Sequence, residues 1–165
     1  MIQKTMQDAL NAQINAEQYS AQLYLAMSAA MEAKSFRGFA QWLKTQASEE
    51  TTHAMKLITF LLDRGGKLEL QPLAAPPVEF GGPIQLFEEV LKHEQGITAK
   101  INALFELARN TKDFASEITL QWYVTEQVEE ESSVGLIVDR LHAIGDQGGA
   151  IWYLDKELGK RGQVG

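Results

Sequence analysis

Apolar residues recur at three- and four-residue steps over four long stretches of the chain, the spacing of one face of an α-helix. The stretches are 3–33, 36–64, 84–110 and 113–143. Each stops at a recognisable break. AKSFRG follows the first, DRGG closes the second with a glycine stop, and NTKD separates the third from the fourth. All four prolines (Pro72, Pro76, Pro77 and Pro83) fall in one segment, and with Gly65, Gly66, Gly81 and Gly82 they mark residues 65–83 as non-helical. Pro83 suits the first turn of the third helix. After HAIGDQGG a short fifth helix is expected over 150–160, carrying Ile151, Trp152, Leu154 and Leu158.

Connection lengths set the topology. Turns of a few residues make the first two helices antiparallel, and likewise the third and fourth. A helix of about 28 residues is ~42 Å long, and the roughly 18 residues of the proline segment reach ~60 Å when extended. That is enough to return along the whole bundle, so the second and third helices can run parallel. The expected fold is all-α, a four-helix bundle with one long crossover and a short fifth C-terminal helix, in a single domain over 1–165.

The bundle-type stripe of each helix is apolar at its ends and polar in its middle. It reads Leu10, Ile14, Glu17, Ala21, Tyr24, Ser28, Met31 in the first helix and Phe39, Leu43, Gln46, Glu50, His53, Leu57, Phe60 in the second. It reads Phe87, Leu91, Glu94, Thr98, Ile101, Phe105 in the third and Leu120, Tyr123, Gln127, Glu130, Val134, Ile137, Leu141 in the fourth. The interruptions repeat. Glu17 to Glu94, Glu49 to Glu126, Glu50 to Gln127 and His53 to Glu130 are each separations of 77 residues. Two helix pairs in register thus form an internal repeat, each pair bringing one acid and an i, i+3 pair to one level of the bundle.

Buried carboxylates are costly unless they protonate, pair or bind a cation, and these stripes contain no Lys or Arg. Glu17, Glu50, Glu94, Glu130 and His53 make an oxygen-rich, thiolate-free donor set that suits iron or manganese, and zinc less selectively. One Glu from each of two helices plus Glu-x-x-His from each of the others is the di-metal bundle pattern. The first half fits it; in the second, Gln127-x-x-Glu130 stands in place of Glu-x-x-His.

Composition narrows the partners. Fifteen basic against 22 acidic residues leave a net charge of −7, which argues against nucleic acid. The chain has no cysteine, which removes disulfides, thiolate metal sites and Cys nucleophiles and fits a reducing cytoplasm. MIQKTMQDALNAQ has no apolar leader core, and no run is long enough to span a membrane.

Glu17 with Tyr24, E50-x-x-H53, Glu94 and E126-Q127-x-x-E130 together resemble the bacterial non-haem ferritins, over nearly the whole length and including the fifth helix. The resemblance implies a ferritin-like fold, ferroxidase activity with O2 or H2O2, and mineral storage inside a shell of twenty-four subunits. It implies that Glu17, Glu50 and His53 hold one iron and that Glu50, Glu94 and Glu130 hold the other, with Gln127 beside the pair. Glu49, Glu126, Glu129 and Glu130 match a third iron site of the family, and Tyr24 and Trp122 its redox-active aromatics. Bacterioferritin repeats Glu-x-x-His and carries a haem-ligand Met; Gln127, Glu130 and Thr52 stand here, so no haem is expected. Rubrerythrins add an iron site made of four cysteines, and the DNA-protecting mini-ferritins lack the terminal helix.

Plainer accounts compete with each assignment. The inner set could be a protonated polar network, and Glu49, Glu126 and Glu129 a solvated face. Tyr24 and Trp122 could be ordinary packing, as is expected of Met6, Met27, Met31 and Met55. His93, His142 and Glu131 are expected at the surface. The rival functions are a di-iron oxidase or peroxidase that stores nothing, and a structural bundle stapled by a metal.

Overall fold

The computed structural model describes residues 1–145 and 148–161. Among the described residues five helices are formed, in chain order α1 (Lys4–Ala33), α2 (Arg37–Asp63), α3 (Pro83–Asn110), α4 (Phe114–Ile144) and α5 (Ala150–Leu158). They make the four-helix bundle with a long crossover and a short terminal helix that the sequence predicts. Of the predicted HAIGDQGG break, Asp146 and Gln147 lie outside the described residues, as do residues 162–165.

The internal repeat extends to the turns. Ser35 and Lys112, 77 residues apart, adopt left-handed backbone (φ 65° and 54°) at the two hairpin corners. Both corners are closed by equivalent bonds, Phe36 N–H to Met31 C=O at 3.0 Å and Asp113 N–H to Ala108 C=O at 2.9 Å. The second corner is further fixed by Asp113, which accepts from Ser116 N–H at the start of α4 and from the two terminal guanidinium nitrogens of Arg64 (2.9 and 3.3 Å).

Direction is set by the crossover, which tracks α1. Asn11 donates to Lys67 C=O (2.9 Å) near its start, Asn15 to Gln71 C=O (3.4 Å) further on, and Lys34 bonds Gly81 C=O near its end. The segment therefore travels from one end of α1 to the other, and α3 starts where α2 starts. The two helices run parallel, and α1 packs against both α2 and α3.

Two apolar clusters fill the ends. Met27, Met31, Phe39, Leu43, Phe87, Val134 and Ile137 belong to one, and Met6, Leu10, Ile14, Leu57, Leu61, Ile101 and Leu120 to the other. Truncating one of the buried leucines to Ala costs ~2–5 kcal/mol. Between the clusters lies the polar level.

Two expectations about packing are corrected. Beyond Phe87, the buried stripe of α3 runs through Val90, Ile97 and Leu104, one residue before the expected Leu91, Thr98 and Phe105, which are half-buried. The reason is that α3 must face both α1 and α4, and at 3.6 residues per turn a strict seven-residue stripe drifts around the helix. Leu91 and Phe105 still lean on the two clusters. Met55 is 53 % exposed and does not pack in the core.

Helix α5 docks across the start of α2. The Asp155 carboxylate accepts from Phe39 N–H at 2.8 Å, satisfying a donor that the first turn of a helix cannot satisfy itself. Trp152 stacks on Phe36 (centroids 4.8 Å apart). The approach is so close that a Cβ on Gly38 would lie 1.6 Å from Asp155 C=O, so only glycine fits there.

Candidate metal centre

Glu17, Glu50, Glu94 and Glu130, one from each long helix, meet at the polar level with His53 and Gln127, and none of the six is more than 5 % exposed. The i, i+3 spacing puts Glu50 and His53 on one face, where Glu50 Oε2 lies 3.5 Å from His53 Nδ1. Ligand atoms of Glu17, Glu50 and His53 come within 4.8 Å of one another, and those of His53, Glu126 and Glu130 form a second such group. The remaining predicted grouping is arranged differently. Glu94 is bonded by the Tyr24 hydroxyl of α1 and by the Gln127 amide of α4 (3.1 Å to Oε2). Gln127 also reaches Thr98 Oγ1 at 3.3 Å.

A residue outside the predicted set links the two halves. Gln46 Nε2 donates to Glu130 Oε2 at 2.7 Å and to Glu50 Oε1 at 3.2 Å. Its place on the second stripe was visible in the sequence, but its role as a bridge between α2 and α4 was not.

The acids are crowded and poorly compensated. Among the described residues no lysine or arginine forms an ion pair with Glu17, Glu50, Glu94 or Glu130. Burial first, then the neighbouring acids, raises all four. Glu17 rises well above the ordinary carboxylate range, with Glu50 as its strongest charged neighbour, and Glu94 is raised as well. Glu50 is pushed up to about 8 and Glu130 to about 7, both by burial and then by Glu94. Glu17 Oε1 takes a bond from Gln13 (2.7 Å), but Glu17 Oε2 is buried with no hydrogen-bond partner. A buried orphan acceptor beside an imidazole and a second carboxylate is a donor set that suits a cation.

The residues assigned to a third site are not drawn into one group. Glu126 Oε1 stands 3.8 Å from His53 Nε2. Glu49 is instead bonded by Arg161 at 2.5 Å, and Glu129 is exposed on a cleft shared with Trp42 and Arg161. The stripes hold no counter-cation, yet the segment after α5 delivers one from outside them.

The aromatic neighbours are close by. Tyr24 is fully buried, and burial together with Glu94 raises its hydroxyl well above its usual range. Trp122 packs edge-on to His53 (5.4 Å), with Lys56 Nζ 3.2 Å from its ring centroid. Two surface expectations are corrected. His93 is half-buried, meets Ser20 Oγ at 2.8 Å and packs edge-on against Tyr24, and burial lowers it to about 4. Glu131 is half-buried and accepts from the Thr98 hydroxyl. His142 stays exposed beside Glu88, as expected.

Helix order, parallel crossover and a carboxylate–imidazole level at mid-bundle together define a ferritin-type bundle, and the chain belongs to that family: residues 7–144 match the ferritin-like domain. Among its relatives are the bacterial non-heme ferritins of Bacteroides fragilis (strain 638R), 39 % identical over 98 % of this chain and 100 % of that one, and of Staphylococcus aureus (strain USA300), 38 % identical over 98 % and 97 %. Among solved structures it is similar to the open pore ferritin from the hyperthermophilic archaeon Archaeoglobus fulgidus, at a TM-score of 0.97 and 46 % identity, covering 98 % of this chain and 99 % of that one. A closed form engineered from the same archaeal ferritin matches equally well, with a TM-score of 0.97 and 45 % identity over 99 % and 100 %.

Proposed function

We propose that the protein is a ferroxidase and iron store, which takes up Fe2+ as substrate at a two-metal centre and deposits ferric oxyhydroxide within a cage of twenty-four copies. The observation that carries this reading is the set of four buried, charge-uncompensated glutamates converging with His53, with Glu17 Oε2 left unpartnered. Hard carboxylate donors stabilise Fe3+ more than Fe2+, so the same ligands that admit ferrous ion favour its oxidation. Two ferrous ions each release one electron to a shared oxidant. With H2O2 this yields two Fe3+ and two hydroxides; with O2 and two protons it yields two Fe3+ and H2O2.

The residues have separable roles. Glu17, Glu50 and His53 bind one ion; Glu50, Glu94 and Glu130 bind the other, and Gln127 orients Glu94. Glu50 and Glu130 give up protons as the ions enter. Tyr24, bonded to Glu94, is placed to pass an electron toward the centre. Glu49, Glu126 and Glu129 are the flank to which a third ion is assigned. The domain spans 1–165, works in the cytoplasm and uses no haem.

Storage needs assembly, because one bundle encloses no cavity for mineral. Leu25, Leu70 and Val78 on α1 and the crossover, and Tyr153 on α5, are more than half exposed, as interface residues of an isolated subunit are. Gel filtration with light scattering tests this. Twenty-four chains of 18.4 kDa give about 440 kDa. A stable dimer that still oxidises Fe2+ would leave a non-storing oxidase. Fe2+ mixed with the protein in air should turn over faster than in buffer; equal rates would sink the ferroxidase reading.

A further inference from the structure

The last described residue, Arg161, lies beyond α5 and reaches back to the metal centre. Its guanidinium sits 4.4 Å from the Trp42 ring centroid, one nitrogen donates to Gln46 Oε1 at 2.8 Å, and another to Glu49 Oε2 at 2.5 Å. The fork is therefore held on three sides, by an aromatic face, a neutral amide and a carboxylate. The Gln46 amide can donate to Glu50 and Glu130 only if its oxygen points away from them, and Arg161 is the donor that holds the oxygen there. The anchor itself is firm: α5 is fixed to α2 by the Asp155–Phe39 bond, and Arg140 grips Glu157 with two bonds of 2.7 Å.

We propose that Arg161 is a tethered cation that holds the Glu49 flank of the metal centre closed, so that a metal ion is ligated by Glu49 only by displacing it, and that through Gln46 it positions Glu50 and Glu130. The proposal rests on the reading of the centre as a metal site. It gives α5 a role in metal binding: a carboxylate already neutralised by a guanidinium is a poor ligand, and a like charge a few ångströms from an incoming cation weakens its binding. Occupancy of the Glu49 flank is then a competition between an ion from solution and a side chain of the same subunit.

The test uses the full-length assembled protein, stripped of metal, and Zn2+ as a probe that neither oxidises nor mineralises. Calorimetric titration gives affinities and site numbers, and anomalous diffraction from Zn2+-soaked crystals locates the ions. Arg161→Gln, which removes the charge but keeps a donor, should tighten the site that includes Glu49 by about tenfold. Arg161→Lys, which keeps the charge, should stay within about twofold of the parent at that site. The gain from Arg161→Gln should vanish in a Glu49→Gln background, as a direct coupling requires and a general loosening of α5 does not. Equal Zn2+ affinities in the parent and Arg161→Gln, or a gain that survives Glu49→Gln, overturns the proposal. A parent that binds no Zn2+ at the centre at all overturns the metal-site reading instead. If Arg161→Gln alters the mass of the cage, the Arg161→Lys variant carries the second half of the claim: the lost fork should disturb the Zn2+ position between Glu50 and Glu130, and an undisturbed position refutes it.

Discussion

The two hairpins descend from one pattern but prepare their halves of the centre differently. In α1–α2, Glu17, Glu50 and His53 crowd together with one carboxylate oxygen unpartnered. In α3–α4, an amide stands where the first half has Glu50 and an acid where it has His53, and Glu94 is already bonded by Tyr24 and Gln127. The first half is left with an unpartnered oxygen; the acid of the second is answered by Gln127 from its own hairpin and by Tyr24 from α1. Identical halves would place two imidazoles and four acids at the level, with no amide at 127. Here the acid count is the same, one imidazole has given way to Glu130, and the amide at Gln127 supplies a donor to hold Glu94 still. A repeat can thus fix where ligands stand while single exchanges settle which of them wait for a metal.

The most severe test of this contrast lies in the first half. Glu50→Ala removes the acid proposed to be shared between both ions and should slow Fe2+ oxidation by at least about 100-fold in stopped-flow absorbance. Circular dichroism and the mass of the assembly in solution should be unchanged; loss of the fold instead would point to a structural staple. Tyr24→Phe removes one of the bonds that satisfy Glu94 and should slow oxidation by about tenfold, with metal affinity changed less than rate if the hydroxyl acts in electron transfer. Equal losses of rate and affinity would reduce Tyr24 to a positioning role.

Proton linkage separates the halves further. Glu50 (about 8) and Glu130 (about 7) are raised above the ordinary carboxylate value of 4.5, so the folded metal-free protein keeps protons that the unfolded chain has lost. The stability they contribute is full below the unfolded value and is lost as pH rises through 7 to 8. The apparent melting temperature of the metal-free protein should therefore fall by roughly 10 °C between pH 6 and 9. Glu130→Gln should remove its share of the fall, which ends near pH 7, and Glu50→Gln its share, which continues to about pH 8. Saturating Zn2+ should abolish it, because metal takes the place of the protons. A metal-free protein that gains stability over this range would contradict the burial of the pair.

The smallest effect lies at the corner of the second hairpin. Asp113→Ala removes an N-cap and the partner of Arg64, and should cost about 1–3 kcal/mol in denaturant unfolding while leaving metal affinity within about twofold. The equivalent corner of the first hairpin has Phe36 at that position and makes no side-chain cap, so a change there should act through its packing against Phe39, Trp152 and the adjoining apolar cluster.

Much of the centre was legible in the chain itself. Glu17, Glu50, His53, Glu94, Gln127 and Glu130 stand out because buried acids interrupt apolar stripes and recur at 77 residues. Gln46 was on the stripe, but a lone amide carries no signal of what it bridges. His93 was misplaced at the surface because its neighbours on α3 give no hint of Ser20 and Tyr24, which approach from α1. The slip of the α3 stripe was equally hidden, since Val90 and Leu91 are both apolar and periodicity does not choose between adjacent apolar residues.

The helices, their turns, the parallel crossover and the level at which the acids meet all follow from spacing along one chain. Spacing along a helix maps directly onto its faces, so these features needed nothing more. Which acids are left unsatisfied and which are answered depends on packing between helices. Tyr24 on Glu94 and Arg161 on Glu49 join residues 70 and 112 positions apart. Such pairs arise from how α1 meets α3 and how α5 docks on α2. That docking is set by a close contact at Gly38 and a carboxylate at Asp155, and no local periodicity encodes it.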